Sequence, residues 1–257
     1  MTPAAAVDLP APALLPRHAA LFLDFDGTLA PIAPRPHDVR VPSWVRPVLR
    51  RLQPALCQAL AVVSGRPLAQ LDSLLSPLRL PASGVHGLQH RRADGRIRVH
   101  RAEPPAAVVA AIQTLARQHP ALLVEVKPGA IGLHYRAAPE LEALCRSTVA
   151  AALGGVGDPE WMLLDGHALV EVKPRRFSKA TALEAFMAEA PFAGRVPIVV
   201  GDDVTDEDAM RAAEAFGGPG GRVGGGATRA RCRLADPAAV GRWLARSADA
   251  LEDADTA

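Results

Sequence analysis

Apolar residues along the chain follow two different patterns. In residues 19–23, 59–63 and 196–200 they run on almost without alternation, as expected of parallel strands buried on both faces. Each run stops at a short polar cluster: Asp24-Phe25-Asp26-Gly27-Thr28, Ser64-Gly65-Arg66 and Gly201-Asp202-Asp203. Helical stretches at 46–52 and 67–75 lie between or after these runs, and further helices are predicted at 180–190 and 208–216. Strands alternating with helices predict an α/β fold, a Rossmann-like core around a parallel sheet. Ligands bind beyond the carboxyl ends of such strands, so the three polar clusters should meet at one site.

Residues 88–175 break that rhythm. A helix is predicted from Pro104-Pro105 to His119, then a strand pair at 122–128 and 131–136, a second helix at 139–153, and a second pair at 161–164 and 168–174. This αββ-αββ segment predicts an inserted α+β domain, an antiparallel sheet backed on one side by two helices. Alternation puts Glu125 and Lys127 opposite Val124 and Val126, and Gly132, His134 and Arg136 opposite Leu133 and Tyr135. Glu171 and Lys173 fall on the polar side too. That face is either a ligand face or a plain solvated one. The implied division is a core of 18–87 and 176–246, an insert of 88–175, and loose ends at 1–17 and 247–257. The Gly-rich stretch 217–226 is expected to be a connection around a short strand at 222–223, and Asp236-Pro237 to start the last helix.

Composition narrows the class. The chain has 257 residues, 49% of them apolar, and a net charge of +2, which argues against nucleic acid or an anionic membrane as the main partner. The N-terminus lacks a basic start and an apolar run, and no segment approaches a membrane span, so the expectation is a cytoplasmic protein with a small-molecule substrate. Cys57, Cys145 and Cys232 lack disulfide or zinc-ligand spacing. Of 29 basic residues only Lys127, Lys173 and Lys179 are lysine. An ammonium and a planar guanidinium are not interchangeable at a phosphate or sugar oxygen, which marks these three as functional candidates.

The acidic clusters carry the chemistry. Asp24 and Asp26 end one strand, Asp202 and Asp203 end another, and Asp206 follows; so many carboxylates together call for a cation. Oxygen-only donors favour a hard ion, Mg²⁺ above others. Asp-x-Asp-Gly-Thr after an apolar strand, a later Ser and Lys, and Gly-Asp-Asp-x-x-Asp resemble the four ordered motifs of the haloacid-dehalogenase superfamily. The resemblance implies that Asp24 is a nucleophile forming an aspartyl-phosphate, that Asp26 is the acid and base, and that both meet the substrate. It further implies that Ser64 and Lys179 hold the transferring phosphoryl group, and that Asp24, Asp202 and the Asp26 carbonyl ligate Mg²⁺. Asp203 and Asp206 are expected near the metal, without a choice between them.

Residues 26–32, Pro34-Arg35-Pro36, Val63 to Arg66, Gly84-Val85-His86-Gly87, 127–136 and 201–207 are similar to the trehalose-phosphatase family over roughly 20–244. That likeness implies that the insert is a cap and that Glu125, Lys127, His134, Arg136 and Glu171, with Arg66 and His86 from the core, hold a phosphosugar. It also implies that a separate trehalose-6-phosphate synthase supplies the substrate. Other phosphosugars, such as sucrose phosphate or mannosyl-phosphoglycerate, a sugar mutase, and a silent sugar-phosphate sensor remain the alternatives.

Overall fold

Five consecutive apolar residues, Ala19–Leu23, form β1, and every one of them is buried. The computed structural model describes residues 9–256 of the chain. After β1 come α1 (Val45–Ala55), β2 (Leu60–Val63), α2 (Leu68–Leu75), β3 (Ala82–Gly84), β4 (Gln89–Arg91), β5 (Ile97–Val99) and α3 (Ala106–Gln118). Next are β6 (Leu123–Lys127), β7 (Ala130–His134), α4 (Glu142–Val156), β8 (Trp161–Gly166) and β9 (Leu169–Pro174). The chain closes with α5 (Lys179–Met187), β10 (Val196–Gly201), α6 (Val204–Ala215), β11 (Gly220–Val223), β12 (Cys232–Leu234) and α7 (Pro237–Thr256). Two compact units result, residues up to 97 together with those from 179 onward, and residues 98–178.

The first unit is built on a sheet of order β12-β11-β10-β1-β2-β3-β4-β5. From β12 to β3 the strands are parallel, and β4 returns antiparallel to β3. Alternate residues of β1 serve two different cores. Ala19, Leu21 and Leu23 pack with α1 and α7 through Leu49, Leu52, Val240 and Leu244, whereas Ala20 and Phe22 pack with α5 and α6 through Leu183, Phe186 and Met210. Phe22, Phe186 and Phe192 form one aromatic group, with centroids 4.9–5.8 Å apart. Burying each such side chain contributes about 1.5–3 kcal/mol, which is why an uninterrupted apolar strand specifies a sheet covered on both faces. β1, β2 and β10 are adjacent, so their polar C-terminal clusters start at one edge.

The second unit is an antiparallel sheet of order β6-β7-β9-β8. Val108, Ile112, Cys145 and Val149 of α3 and α4 cover Ile131, Leu133, Val170 and Val172. Glu125, Gly132 and Glu171 lie abreast across three strands on the opposite face. Among the described residues no helix is long and apolar enough to cross a membrane.

Several expectations need correction. Residues 88–97, expected in the insert, belong to the first unit, because β4 pairs with β3 and Arg91 is anchored to Leu80 O (2.8 Å) and Asp72 (2.6 Å). α6 begins at Val204 rather than Asp208, because Asp203 caps it. β3, β4, β5 and β12 are additions to the expected strands. Nor are the described ends loose. Leu15 is buried and its N–H donates to Ser247 Oγ, Trp243 Nε1 donates to Ala13 O, and Arg233 N–H donates to Pro10 O. α7 continues through the stretch expected to fray, with Leu251 buried and Asp249 and Glu252 held by Arg51. Residues 1–8 of the expected leader lie outside the described residues.

Candidate active site

β1 hands its ladder directly to Asp24, whose N–H donates to Val200 O at 2.9 Å. The chain then turns back on itself: Leu29 and Ala30 N–H both donate to Phe25 O, and Gly27 N–H donates to Ala30 O. The turn needs Gly27 twice over. Its φ is +81°, and a Cβ there would sit 2.1 Å from Asp202 Oδ2. Gly201 has a similar task, since a Cβ on it would lie 2.0 Å from Asp206 Cγ. The glycines of both acidic motifs are thus the space into which carboxylates of the other strand end or the next helix fit. Gly27→Ala is expected to cost about 2–4 kcal/mol of stability, from a left-handed φ and the displaced carboxylate, and to remove nearly all turnover. Urea unfolding and a turnover assay check it.

Asp206 is carried to the site by its helix cap. Asp203 accepts from Thr205 N–H (2.8 Å) and its own N–H donates to Asp206 Oδ2 (3.1 Å), a reciprocal capping box at the start of α6. Asp206 Oδ1 accepts from Lys179 Nζ at 2.8 Å, and the same ammonium donates to Asp24 Oδ1 at 2.7 Å. Asp24, Asp202 and Asp206 each offer a carboxylate oxygen within 4.8 Å of the others, and all three residues are buried.

The electrostatics of this group are unbalanced. Burial pushes the Asp24 carboxyl well above its ordinary range; Lys179 opposes this, while Asp206 and Asp202 add to it. Asp206 is pushed up to about 6, again chiefly by burial, against the pull of Lys179. For Lys179 burial favours the neutral amine, yet Asp206 and Asp24 outweigh it and hold the ammonium firmly charged. One ammonium faces three carboxylates, so with all three ionised the group carries an excess of two negative charges. An all-oxygen donor set with that excess fits a hard divalent cation. Both Asp206 oxygens accept hydrogen bonds, one from Lys179 Nζ and one from the Asp203 N–H.

Beside this group β2 ends at Ser64. Its Oγ accepts from Arg66 N–H (3.1 Å), and its carbonyl accepts from His86 N–H (3.1 Å). His86 is buried with φ +51°, and its ring leaves no room for a side chain at Gly65, where a Cβ would lie 2.6 Å from Nε2. Asp26 turns to Arg66 instead of Lys179. It accepts from Arg66 Nε at 2.6 Å and from Nη2 at 2.8 Å.

In the second unit Lys127 Nζ donates to Glu171 Oε2 (2.7 Å) and lies 3.6 Å from Glu125 Oε2, which His134 Nε2 meets at 2.8 Å. Burial alone would discharge Lys127, but Glu171 and Glu125 raise its pKa instead. Glu125 is held low, burial notwithstanding, by His134 and Lys127. Four of the six charged or polar residues expected on this face therefore form one charged group. Arg136 lies just past β7 and donates to His167 O. Lys173 is buried, and donates to the carbonyls of Phe177 and Pro174.

Sequence reasoning leaves the choice between Asp203 and Asp206 open. The capping-box spacing is the signal that separates them, since it fixes Asp203 at the cap and Asp206 three residues on. The Asp26–Arg66 pair carries no such local signal.

The sequence model of the family described as trehalose-phosphatase matches residues 22–223. Trehalose-6-phosphate phosphatase of Escherichia coli (strain K12) is 40% identical over 237 residues, covering 91% of this chain and 88% of that protein. A probable trehalose-phosphate phosphatase of Sinorhizobium fredii is 39% identical over 208 residues, 80% of this chain and 77% of its own length. Among solved structures, the C-terminal domain of C. albicans trehalose-6-phosphate phosphatase matches in fold with a TM-score of 0.81 at 20% identity, over 96% of this chain and 99% of that one. A phosphatase of the haloalkanoate superfamily from Bacteroides thetaiotaomicron matches with a TM-score of 0.61 at 17% identity, over 93% and 98%.

Proposed function

The chain belongs to the trehalose-phosphatase family, and from that premise we propose that it hydrolyses trehalose 6-phosphate to trehalose and phosphate through an aspartyl-phosphate on Asp24. It is a phosphoric monoester hydrolase with a haloacid-dehalogenase fold. The observation that carries the mechanism is Asp24 itself, a buried carboxylate at a strand end, held by one ammonium and crowded by two further carboxylates.

An Asp24 oxygen attacks phosphorus as the bond from phosphorus to the sugar oxygen breaks. Asp26, entering as the acid, gives its proton to that leaving oxygen. Water then attacks the same phosphorus, the Asp24–phosphorus bond breaks, and Asp26 takes the proton from the water. Atoms balance, and the enzyme returns to its starting state. Ser64 Oγ donates to the transferring phosphoryl group, and Lys179 neutralises charge on its oxygens. Asp24, Asp202 and the Asp26 carbonyl would hold Mg²⁺, whose charge offsets that of the phosphoryl oxygens and the carboxylates around them. Asp206 keeps Lys179 in place.

Glu125, Lys127, His134 and Glu171, with Arg136, read the sugar hydroxyls, which need both donors and acceptors. His86 belongs with the phosphoryl side. A separate synthase supplies trehalose 6-phosphate. A doubly charged phosphosugar does not cross membranes unaided, which supports a cytoplasmic site of action.

The test is phosphate release from trehalose 6-phosphate, sucrose phosphate and mannosyl-phosphoglycerate, with Mg²⁺ and with chelator. Metal-dependent release favouring trehalose 6-phosphate supports the assignment, and preference for another phosphosugar overturns it. Binding without release identifies a sensor instead. The sugar face makes its own prediction. Glu125→Gln is expected to raise KM for trehalose 6-phosphate about tenfold, as loss of a hydrogen bond to a charged group does. p-Nitrophenyl phosphate, which has no sugar, should be turned over as before.

A further inference from the structure

The family likeness puts Arg66 among the sugar-phosphate ligands, but its guanidinium is occupied elsewhere. Nε and Nη2 grip the two oxygens of Asp26 in a fork, at 2.6 and 2.8 Å, and Nη1 donates to Gln70 Oε1 at 3.2 Å. The third side of the fork is the Phe25 ring, 5.8 Å from the guanidinium carbon. The Arg66 side chain is 10% exposed while that of Asp26 is 34% exposed, so the carboxylate faces outward and the guanidinium stands behind it. The backbone of Arg66 is fixed as firmly. Its N–H donates to Ser64 Oγ, its carbonyl accepts from Val85 N–H, and Gly84 leaves room for that carbonyl, since a Cβ there would lie 2.7 Å from it.

We propose that Arg66 is a positioning residue that acts through Asp26, and that it is not a ligand of the sugar phosphate. This inference rests on the acid–base role given to Asp26 above. A bidentate fork fixes the plane of a carboxylate as well as its place, which a point charge cannot do. Proton transfer falls off steeply with misplacement, so the fork keeps the exposed edge of Asp26 aimed where the leaving oxygen and then the water must sit. The geometry also ties that aim to the Ser64 loop, because the same residue that holds Asp26 is anchored to Ser64 Oγ.

The experiment compares wild type, Arg66→Ala, Arg66→Lys, Asp26→Asn and the Arg66→Ala/Asp26→Asn double variant. Steady-state kcat and KM are measured on trehalose 6-phosphate. The pre-steady-state burst from p-nitrophenyl phosphate is measured as well, since its leaving group needs no acid, so the burst reports Asp24 phosphorylation and intact folding. Arg66→Ala should lower kcat on trehalose 6-phosphate about 10- to 100-fold, with KM changed less than about threefold and the burst rate held within about threefold. Arg66→Lys should stay nearer to Arg66→Ala than to wild type. Adding Arg66→Ala to Asp26→Asn should cost less than about threefold more, because the residue it serves is already gone.

A rise in KM at constant kcat, losses that multiply in the double variant, or a burst that falls in step with kcat would each overturn the proposal. Near wild-type kcat in Asp26→Asn alone would instead sink the acid–base role of Asp26, whatever Arg66 does.

Discussion

Asp24→Asn is expected to lower phosphate release by roughly 10⁴-fold or more, the scale on which loss of a covalent nucleophile is felt, and at the same time to make the metal-free protein more stable. The second half follows from the excess of negative charge. With one ammonium for three buried carboxylates, the ionised form of Asp24 is disfavoured in the fold, and an amide of the same shape removes that repulsion while its oxygen still accepts from Lys179. The pH dependence has a definite sign. Asp24 and Asp206 have folded-state pKa values above their unfolded ones, so the folded protein holds more protons and its stability declines as pH rises. The decline begins in the ordinary carboxylate range near about pH 4 and runs through about 6 for Asp206, with the raised Asp24 acting in the same direction. In chelator, therefore, Asp24→Asn should melt above wild type by a margin that widens from mildly acid to neutral pH. Added Mg²⁺ should shrink the margin, because the cation holds wild-type carboxylates ionised at no loss. Melting curves at two pH values, with and without the metal, measure all of this.

Lys179→Ala should act in the opposite direction on stability. It removes the ammonium of the group and leaves Asp24 and Asp206 buried without it. Breaking a buried pair by deleting one partner costs about 3–5 kcal/mol, a large part of the stability of a domain this size. Turnover should fall by about 10³-fold or more, since the transferring phosphoryl group loses a neighbouring positive charge. Urea unfolding in chelator gives the first quantity and phosphate release with Mg²⁺ the second. The contrast between the two variants separates chemistry from folding: both lose turnover, but one melts higher than wild type and the other lower.

What can be read from sequence divides along physical lines. Buried on both faces, β1, β2 and β10 are continuous apolar runs, and their polar ends announce the site because aspartates crowded at the end of such a run are costly without a cation. β7 and β9 have one packed face and one polar face, and β6 alternates in step with them although its Val126 is exposed, so the alternation marks Glu125, Lys127, His134 and Glu171. β3, β4, β5 and β12 have three residues each, too few for either period to register. The start of α6 is misplaced when Asp203 and Asp206 are read as metal-site residues alone, whereas they also form the cap. Leu15 reads as part of a loose leader because the groups that bury and bond it, on α7, lie more than 200 residues away. The Asp26–Arg66 fork spans 40 residues and in sequence is indistinguishable from a substrate contact.

The three lysines share one physical property. Each is buried: Lys179 between carboxylates, Lys127 between Glu171 and Glu125, and Lys173 against backbone carbonyls. A compact ammonium fits where a fork would not, which accounts for lysine at these places in a chain otherwise rich in arginine. Only two of the three lie where a substrate role is proposed.

Phosphorylation of Asp24 is the step on which the rest of the mechanism depends, and trapping the intermediate tests it most directly. Asp26→Asn would be mixed with p-nitrophenyl phosphate and Mg²⁺, quenched in acid, and mapped by mass spectrometry of its peptides. Without a base to activate water, the phosphorylated enzyme should accumulate, with one added phosphoryl group on Asp24 and none in the Asp24→Asn/Asp26→Asn double variant. A phosphoryl group on any other residue, or a burst of p-nitrophenolate with an unmodified Asp24, would contradict the mechanism.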